Sequence, residues 1–241
     1  MEATTVHATL NAIVQRRAIR VFDPVDISPS LRNELLEAAR LAPSSFNSQP
    51  YRLFWVSSPD SLHSVAKFCF SQPPAQTASA LLVAVADIGA WRSTTRDQLE
   101  WMRESGFPAE KIAEFERKSK LAKWFFIQGW CNFLGALKWL AFSAINLVKI
   151  VGTPPATRGR LFKWATKSTS LACENLMIAA ESLGLNTCPM EGFDSRRLSR
   201  FLHLSSRDHD IVMVIAIGKK SSRHVDQPQW RRPLESTVTI L

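Results

Sequence analysis

"AAESLGLNTCPMEGFD", residues Ala179 to Asp194, carries a helical pattern into a turn that holds one glycine between an acid and an aromatic residue. Behind it, KWATKSTSLACENLMI belongs to the same helix, with Leu171, Leu176, Ile178, Ala179 and Leu183 on the apolar face and Gly184 at the expected C′ position. Ahead of it, SRRLSRFLHL reads as a short helix and IVMVIAIG as a strand apolar on both faces, which belongs in the middle of a sheet. In a chain with only 9 glycines, Gly192 either supplies a positive φ to the turn or keeps the backbone open to close approach.

Earlier in the chain, Leu10, Ile13 and Val14 fall at helical spacing between Val6 and Arg17, and the pattern then breaks into the extended Val21-Phe22-Asp23-Pro24. Arg16, Arg17 and Arg20 therefore cluster where a helix ends. Ser28 followed by Pro29 is an N-cap with proline at the first helical position, opening an amphipathic helix, LRNELLEAARLA, that Pro43 stops. The polar loop PSSFNSQP leads into a strand, YRLFWVS, a helix around Ser61 to Phe68, and a buried-type strand, ALLVAVAD. At the C-terminus TVTIL reads as a strand with nothing after it to pack on, a tail that finds its sheet in a second subunit.

Composition narrows the classes. The 241 residues suit one domain or one domain with a large insertion, and 46% hydrophobic with 21% charged residues indicates a globular chain. The 30 Lys and Arg against 21 Asp and Glu give +9, which favours anionic partners. No zinc-finger, RNP or helix-turn-helix signature accompanies that excess, so nucleic acid is not the expected partner. Cys69, Cys131, Cys173 and Cys188 lie far apart without metal or disulfide spacing, and the N-terminus lacks the apolar core of a secretory signal. A reducing, cytoplasmic setting is expected.

Residues 91–160 differ from the rest: a charged segment precedes the aromatic-rich AKWFFIQGWCNFLGALKWLAFSAINLVKIVG. Lys123, Lys138 and Lys149 interrupt it, so it is not a membrane span. Two or three helices are expected, with Gly152-Thr153-Pro154-Pro155 as a hinge. Its aromatic residues (Trp124, Phe125, Phe126, Trp130, Phe133, Trp139, Phe142) form the core of a helical hairpin, a lid over a cleft, or a face lying on a membrane surface.

Taken singly, RRAIR reads as a solvated basic face, PSSFNSQP as a loop after a helix stop, and PMEGF as a turn. In this order and at these separations, RRAIRVFD, LLEAARLAPSSFNSQP, KWATKSTSLACENLMIAAESLGLNTCPMEGFD, IVMVIAIG and RRPLESTV resemble the nitroreductase family of FMN-dependent oxidoreductases. The resemblance covers roughly residues 11–86 and 161–241, leaving 91–160 as an insertion of a subfamily. It implies an α+β fold, a nitroreductase-like, mainly antiparallel sheet wrapped by helices. It also implies an interlocked homodimer with the C-terminal strand exchanged and FMN in the interface.

The resemblance further implies a set of site residues. The backbone at Glu191 and Gly192 lies against the flavin's central ring and donates toward N5, with Pro189 and Met190 leading into it; a side chain at 192 would obstruct that approach. Arg16 and Arg231 hold the phosphate, whose oxygens suit a fork of donors. Arg17 and Ala18 line the cofactor mainly through backbone, and Arg20 stands beside N1 and O2. Pro43, Ser44, Ser45 and Asn47, with Gln49 in the same motif, reach the cofactor from the second subunit. Gln72, or Ser71 beside it, stands where an asparagine commonly meets the flavin's pyrimidine edge. Gln229 replaces a basic residue that the family often carries, so Arg223, Lys219 or Lys220 is expected to compensate.

The activity implied is a ping-pong cycle in which NADPH or NADH reduces FMN and a nitroaromatic, quinone or similar small-molecule acceptor is reduced in turn. The alternative is a specialised flavoenzyme of the same fold: a dehydrogenase, a dehalogenase or a flavin-consuming enzyme. A basic protein held at a membrane or nucleic-acid surface ranks last. His7, His63, His203, His209 and His224 lack metal spacing and are expected at the surface or in packing.

Overall fold

The computed structural model describes residues 2–127, 133–147 and 157–241. In chain order these form α1 (Glu2–Gln15), β1 (Phe22–Asp23), α2 (Pro29–Arg40), β2 (Tyr51–Val56), α3 (Pro59–Phe68), α4 (Pro73–Thr77) and β3 (Ala80–Asp87). There follow α5 (Trp91–Glu104), α6 (Ala109–Phe126), α7 (Phe133–Asn146), α8 (Arg158–Ser182), β4 (Asn186–Met190), α9 (Ser195–Phe201) and β5 (His209–Lys220).

The strands make one sheet in the order β1-β5-β3-β2, with β4 also paired to β5, and every strand pair is antiparallel. The expected α+β architecture with a mainly antiparallel sheet is present. β5 explains how β1 and β4 share a neighbour: it is 12 residues long, so Val214 to Gly218 pair with β4 while Lys219 and Lys220 pair with β1.

Period-two alternation sorts β3 between two cores. Leu81, Val83 and Val85 join Phe22, Cys188, Met190 and Val214 under α3 and α9, whereas Ala80, Leu82 and Ala84 join Ile215 and Ile217 under α2 and α8. Covered on both faces, β3 has no exposed residue and reads as a nearly continuous apolar run. α8 runs 25 residues and buries Ala172, Cys173, Leu176, Met177 and Ala180 against the second core; Gly184 follows it at φ 73°, the left-handed conformation expected there. A third cluster, with Ile88, Leu161 and Ala165 at its centre, takes Phe126 from the 91–160 region and Trp164 from α8.

Helix α2 starts as its sequence indicates: the Ser28 hydroxyl accepts from the amide of Leu31 at 3.2 Å and Pro29 opens the first turn. Ser28→Ala is expected to cost about 1 kcal/mol in urea unfolding, the usual loss for a capping oxygen, with no change in the m-value.

Two expectations change. NTCPM is a strand rather than part of a turn, because its backbone pairs with β5 from Asn186↔Gly218 to Met190↔Val214. Gly192 is not among the positive-φ residues, so the positive-φ account of that glycine fails. TVTIL forms no strand within its own chain: residues 237–241 are exposed and carry Val238, Ile240 and Leu241 bare of packing. The 91–160 region supplies α5, α6, α7 and the first turn of α8, while the Gly152-Thr153-Pro154-Pro155 hinge lies outside the described residues.

Among the described residues no helix is long and apolar enough to cross a membrane. The hairpin-core reading of the aromatic run holds for Phe126, which stacks on Trp91 at 5.4 Å and meets Trp164 edge-on. It fails for Phe133 and Trp139, which are exposed. Lys138 is buried instead of facing solvent: its ammonium donates to the Ile127 carbonyl, and burial lowers its pKa.

Candidate active site

The arginine cluster sits where α1 gives way to β1. The Ile19 amide donates to the Thr187 carbonyl at 3.0 Å, and Ala18 pairs with Thr187 in a parallel bridge, so the segment 16–20 is stitched along the start of β4. Arg16, Arg17, Ala18 and Arg20 line one wall of a cavity of about 380 Å³, and residues 224–231, including Arg231, line the other. Arg16 and Arg231, from distant parts of the sequence, thus face one space.

The side chains there are not equivalent. The Arg17 guanidinium turns back to donate to the carbonyls of Val14 (2.6 Å), Gln15 (3.1 Å) and Arg16 (3.1 Å), capping the end of α1 and leaving Arg17 its backbone to offer the cavity. Arg16 and Arg20 reach the strand beside them: burial pushes the Cys188 thiol up, and the positive charges of Arg20 and Arg16 pull it partly back. His224 is a lining residue that sequence reasoning placed among surface or packing histidines. Its Nδ1 accepts from the Arg20 amide at 3.2 Å, which puts the neutral ring's proton on Nε2.

None of the three bases expected to replace the one missing at Gln229 lines this cavity. Lys219 donates to the Gly184 carbonyl at 2.9 Å, Lys220 pairs with Asp226, and Arg223 stays outside the wall.

At the other end of β4 the backbone leaves the sheet through Glu191 and Gly192, both exposed. Thr187 to Gly192 is five residue steps, so the arginine cavity and the glycine lie about 16 Å apart along the chain at roughly 3.3 Å per residue. A Cβ at Gly192 would meet only Gln72, whose Nε2 would be 3.2 Å away; that same Nε2 donates to the Gly192 carbonyl at 2.7 Å and to the Cys69 carbonyl at 3.0 Å. Gln72, rather than Ser71, is therefore the residue that the fold brings to the glycine. The Gly192 amide donates to no acceptor among the described residues. Asp194, which caps α9 by accepting from the Arg197 amide at 3.0 Å, fixes the far side of the turn, and that bond holds its carboxyl below the ordinary range.

The loop 43–50 forms a third part. Phe46, Asn47 and Gln49 have φ of 58°, 49° and 43°, left-handed values that cost non-glycine residues of order 1–3 kcal/mol each and persist only where the surroundings enforce them. Local bonds do part of this: the Ser44 hydroxyl accepts from the Gln49 amide at 3.0 Å and the Ser48 hydroxyl donates to the Ser45 carbonyl at 2.6 Å. From outside, Gln98 of α5 donates to the Asn47 carbonyl at 2.9 Å. The loop opens β2, three strands away from β4, so within one chain Ser44, Ser45 and Asn47 do not join the arginine cavity.

The described residues include no group of three or more His, Cys, Asp and Glu placed to hold a metal. The thiols of Cys69 and Cys173 are buried, which pushes them up to about 11 and about 12, so neither is a nucleophile at neutral pH. His209 pairs with Asp87 at 3.4 Å, tying the end of β3 to the start of β5.

Protein DrgA of Synechocystis sp. is 29% identical over 225 residues, covering 93% of this chain and 88% of its own. The NADH dehydrogenase of Thermus thermophilus is 27% identical over 239 residues, covering 99% and 98%. A protein of Exiguobacterium sibiricum solved in complex with FMN superposes with a TM-score of 0.73 at 22% identity, covering 97% of both chains. The model of the Nitroreductase family matches residues 13–219, a span that takes in both ends of β4 and the helical region 91–160. By that match the chain belongs to the nitroreductase family.

Proposed function

We propose that the protein is an FMN-dependent oxidoreductase that draws hydride from NADH or NADPH and reduces nitroaromatic, quinone or similar electrophilic small molecules, acting as a homodimer in the cytoplasm. The observation that carries this reading is the single strand β4, which has a guanidinium-lined cavity at one end and an unblocked glycine with a free amide at the other. A group with an anionic phosphate tail and a flat ring fits such a pair of ends. Bound there, FMN would supply a centre that accepts a hydride from one substrate and gives it to the next.

The residues divide the work. Arg16 and Arg231 offer forked donors to phosphate oxygens, and Arg17 and Ala18 offer backbone beside them. Arg20 places a fixed cation next to β4, where it would favour negative charge on a reduced ring. Pro189 and Met190, held in the β5 ladder, fix the direction in which Glu191 and Gly192 leave the sheet. Gln72 holds the Gly192 carbonyl by donating to it, and the amide of that residue stays available as a donor. Pro43, Ser44, Ser45 and Asn47 would approach from a second copy, and the bare Val238, Ile240 and Leu241 of the tail would find cover there.

Freshly purified protein is expected to be yellow or to become so with FMN, to bleach anaerobically with NADPH or NADH, and to recover its colour when a quinone or nitroaromatic is added. Protein that takes up no FMN would overturn the reading. Bleaching by neither nucleotide would remove its nicotinamide half.

A further inference from the structure

Helix α5 lies in the 91–160 region, outside every motif that points to the site, yet it reaches the loop 43–50. The Gln98 side-chain amide donates to two successive carbonyls, that of Asn47 at 2.9 Å and that of Phe46 at 3.5 Å. Both residues are in the left-handed conformation, which turns their carbonyls away from the neighbours a regular helix would supply. Among the described residues, every other bond to these two residues is formed within the loop itself. Gln49 Nε2 donates to Asn47 Oδ1 at 3.3 Å, so the Asn47 side chain is held from within the same loop whose backbone Gln98 bonds.

We infer that Gln98 is a positioning residue of the cofactor site, fixing Asn47 through its backbone and so coupling the helical region 91–160 to flavin binding. The inference rests on the flavin reading above. Chemically it requires a donor at position 98: two carbonyl oxygens face it, and an acceptor there would repel them. Gln98 is half-buried and belongs to none of the three apolar clusters, so its loss leaves the core intact.

The test compares Gln98→Glu, which has the same shape but only acceptors when ionised, with Gln98→Lys, which keeps a donor, and with Glu104→Ala as a control elsewhere on the same helix. FMN affinity, the shape of the flavin's long-wavelength absorption band and the melting temperature are measured for each. Loss of one or two hydrogen bonds predicts that Gln98→Glu weakens FMN binding about three- to tenfold. The band should change shape and the melting temperature should hardly move. Gln98→Lys should bind FMN close to wild type, and Glu104→Ala should match it. Unchanged FMN affinity and band in Gln98→Glu, or equal impairment in Gln98→Lys, would overturn the inference while leaving the flavin reading in place. Wild-type protein that takes up no FMN would remove both.

Discussion

Gly192→Val should abolish turnover while the fold survives. The glycine is exposed and lies outside the sheet ladder, and the only atoms a Cβ would meet belong to the Gln72 side-chain amide, which can move aside. The protein should therefore melt close to wild type. A branched side chain would stand on the backbone face that the proposed ring must approach, and displacement of a reacting centre by about 1 Å costs on the order of 100-fold in rate. Steady-state reduction of a quinone should fall at least that far, and FMN should be retained less well. Gly192→Ala should fall between the two. Turnover retained in Gly192→Val would place the chemistry elsewhere.

The second large effect is at the opposite end of β4. Arg16→Ala and Arg231→Ala each remove a guanidinium from the cavity that both ends of the chain build. A hydrogen bond to a charged group contributes about 1.5–3 kcal/mol, so each variant should bind FMN roughly tenfold or more weakly, and the double variant at least 100-fold. Lysine at either position should recover only part of the loss, because an ammonium cannot match two phosphate oxygens at once. Arg17→Ala should lose little affinity, since its guanidinium already serves the carbonyls of Val14, Gln15 and Arg16. Fluorescence titration of apoprotein with FMN measures each of these variants. Equal losses at Arg16 and Arg17 would contradict the assignment of the phosphate to Arg16.

Much of this was legible in the chain because local chemistry and burial agree. The strand of residues 80–87 is covered on both faces and reads so; the helix before Gly184 ends where a left-handed residue is expected; Ser28 and Pro29 open α2 as their types require. Arg16, Arg17, Ala18, Arg20 and Arg231 meet in one cavity, as the motifs imply.

What escaped has physical causes. β4 is five residues long and contains a proline, so its sequence carries no alternation to read. His224 enters the cavity because residue 20 donates to it from across the fold, and a lone histidine gives no sign of that. Gln98 acts on carbonyls 51 and 52 positions away, and nothing in its own helix marks it.

A crystal structure of the protein loaded with FMN tests the central claim most directly. The account predicts the ring against the Gly192 backbone and the phosphate within hydrogen-bond reach of Arg16 and Arg231, so that one molecule spans the length of β4. Density for the flavin at any place that leaves Gly192 and Arg16 both untouched would contradict it.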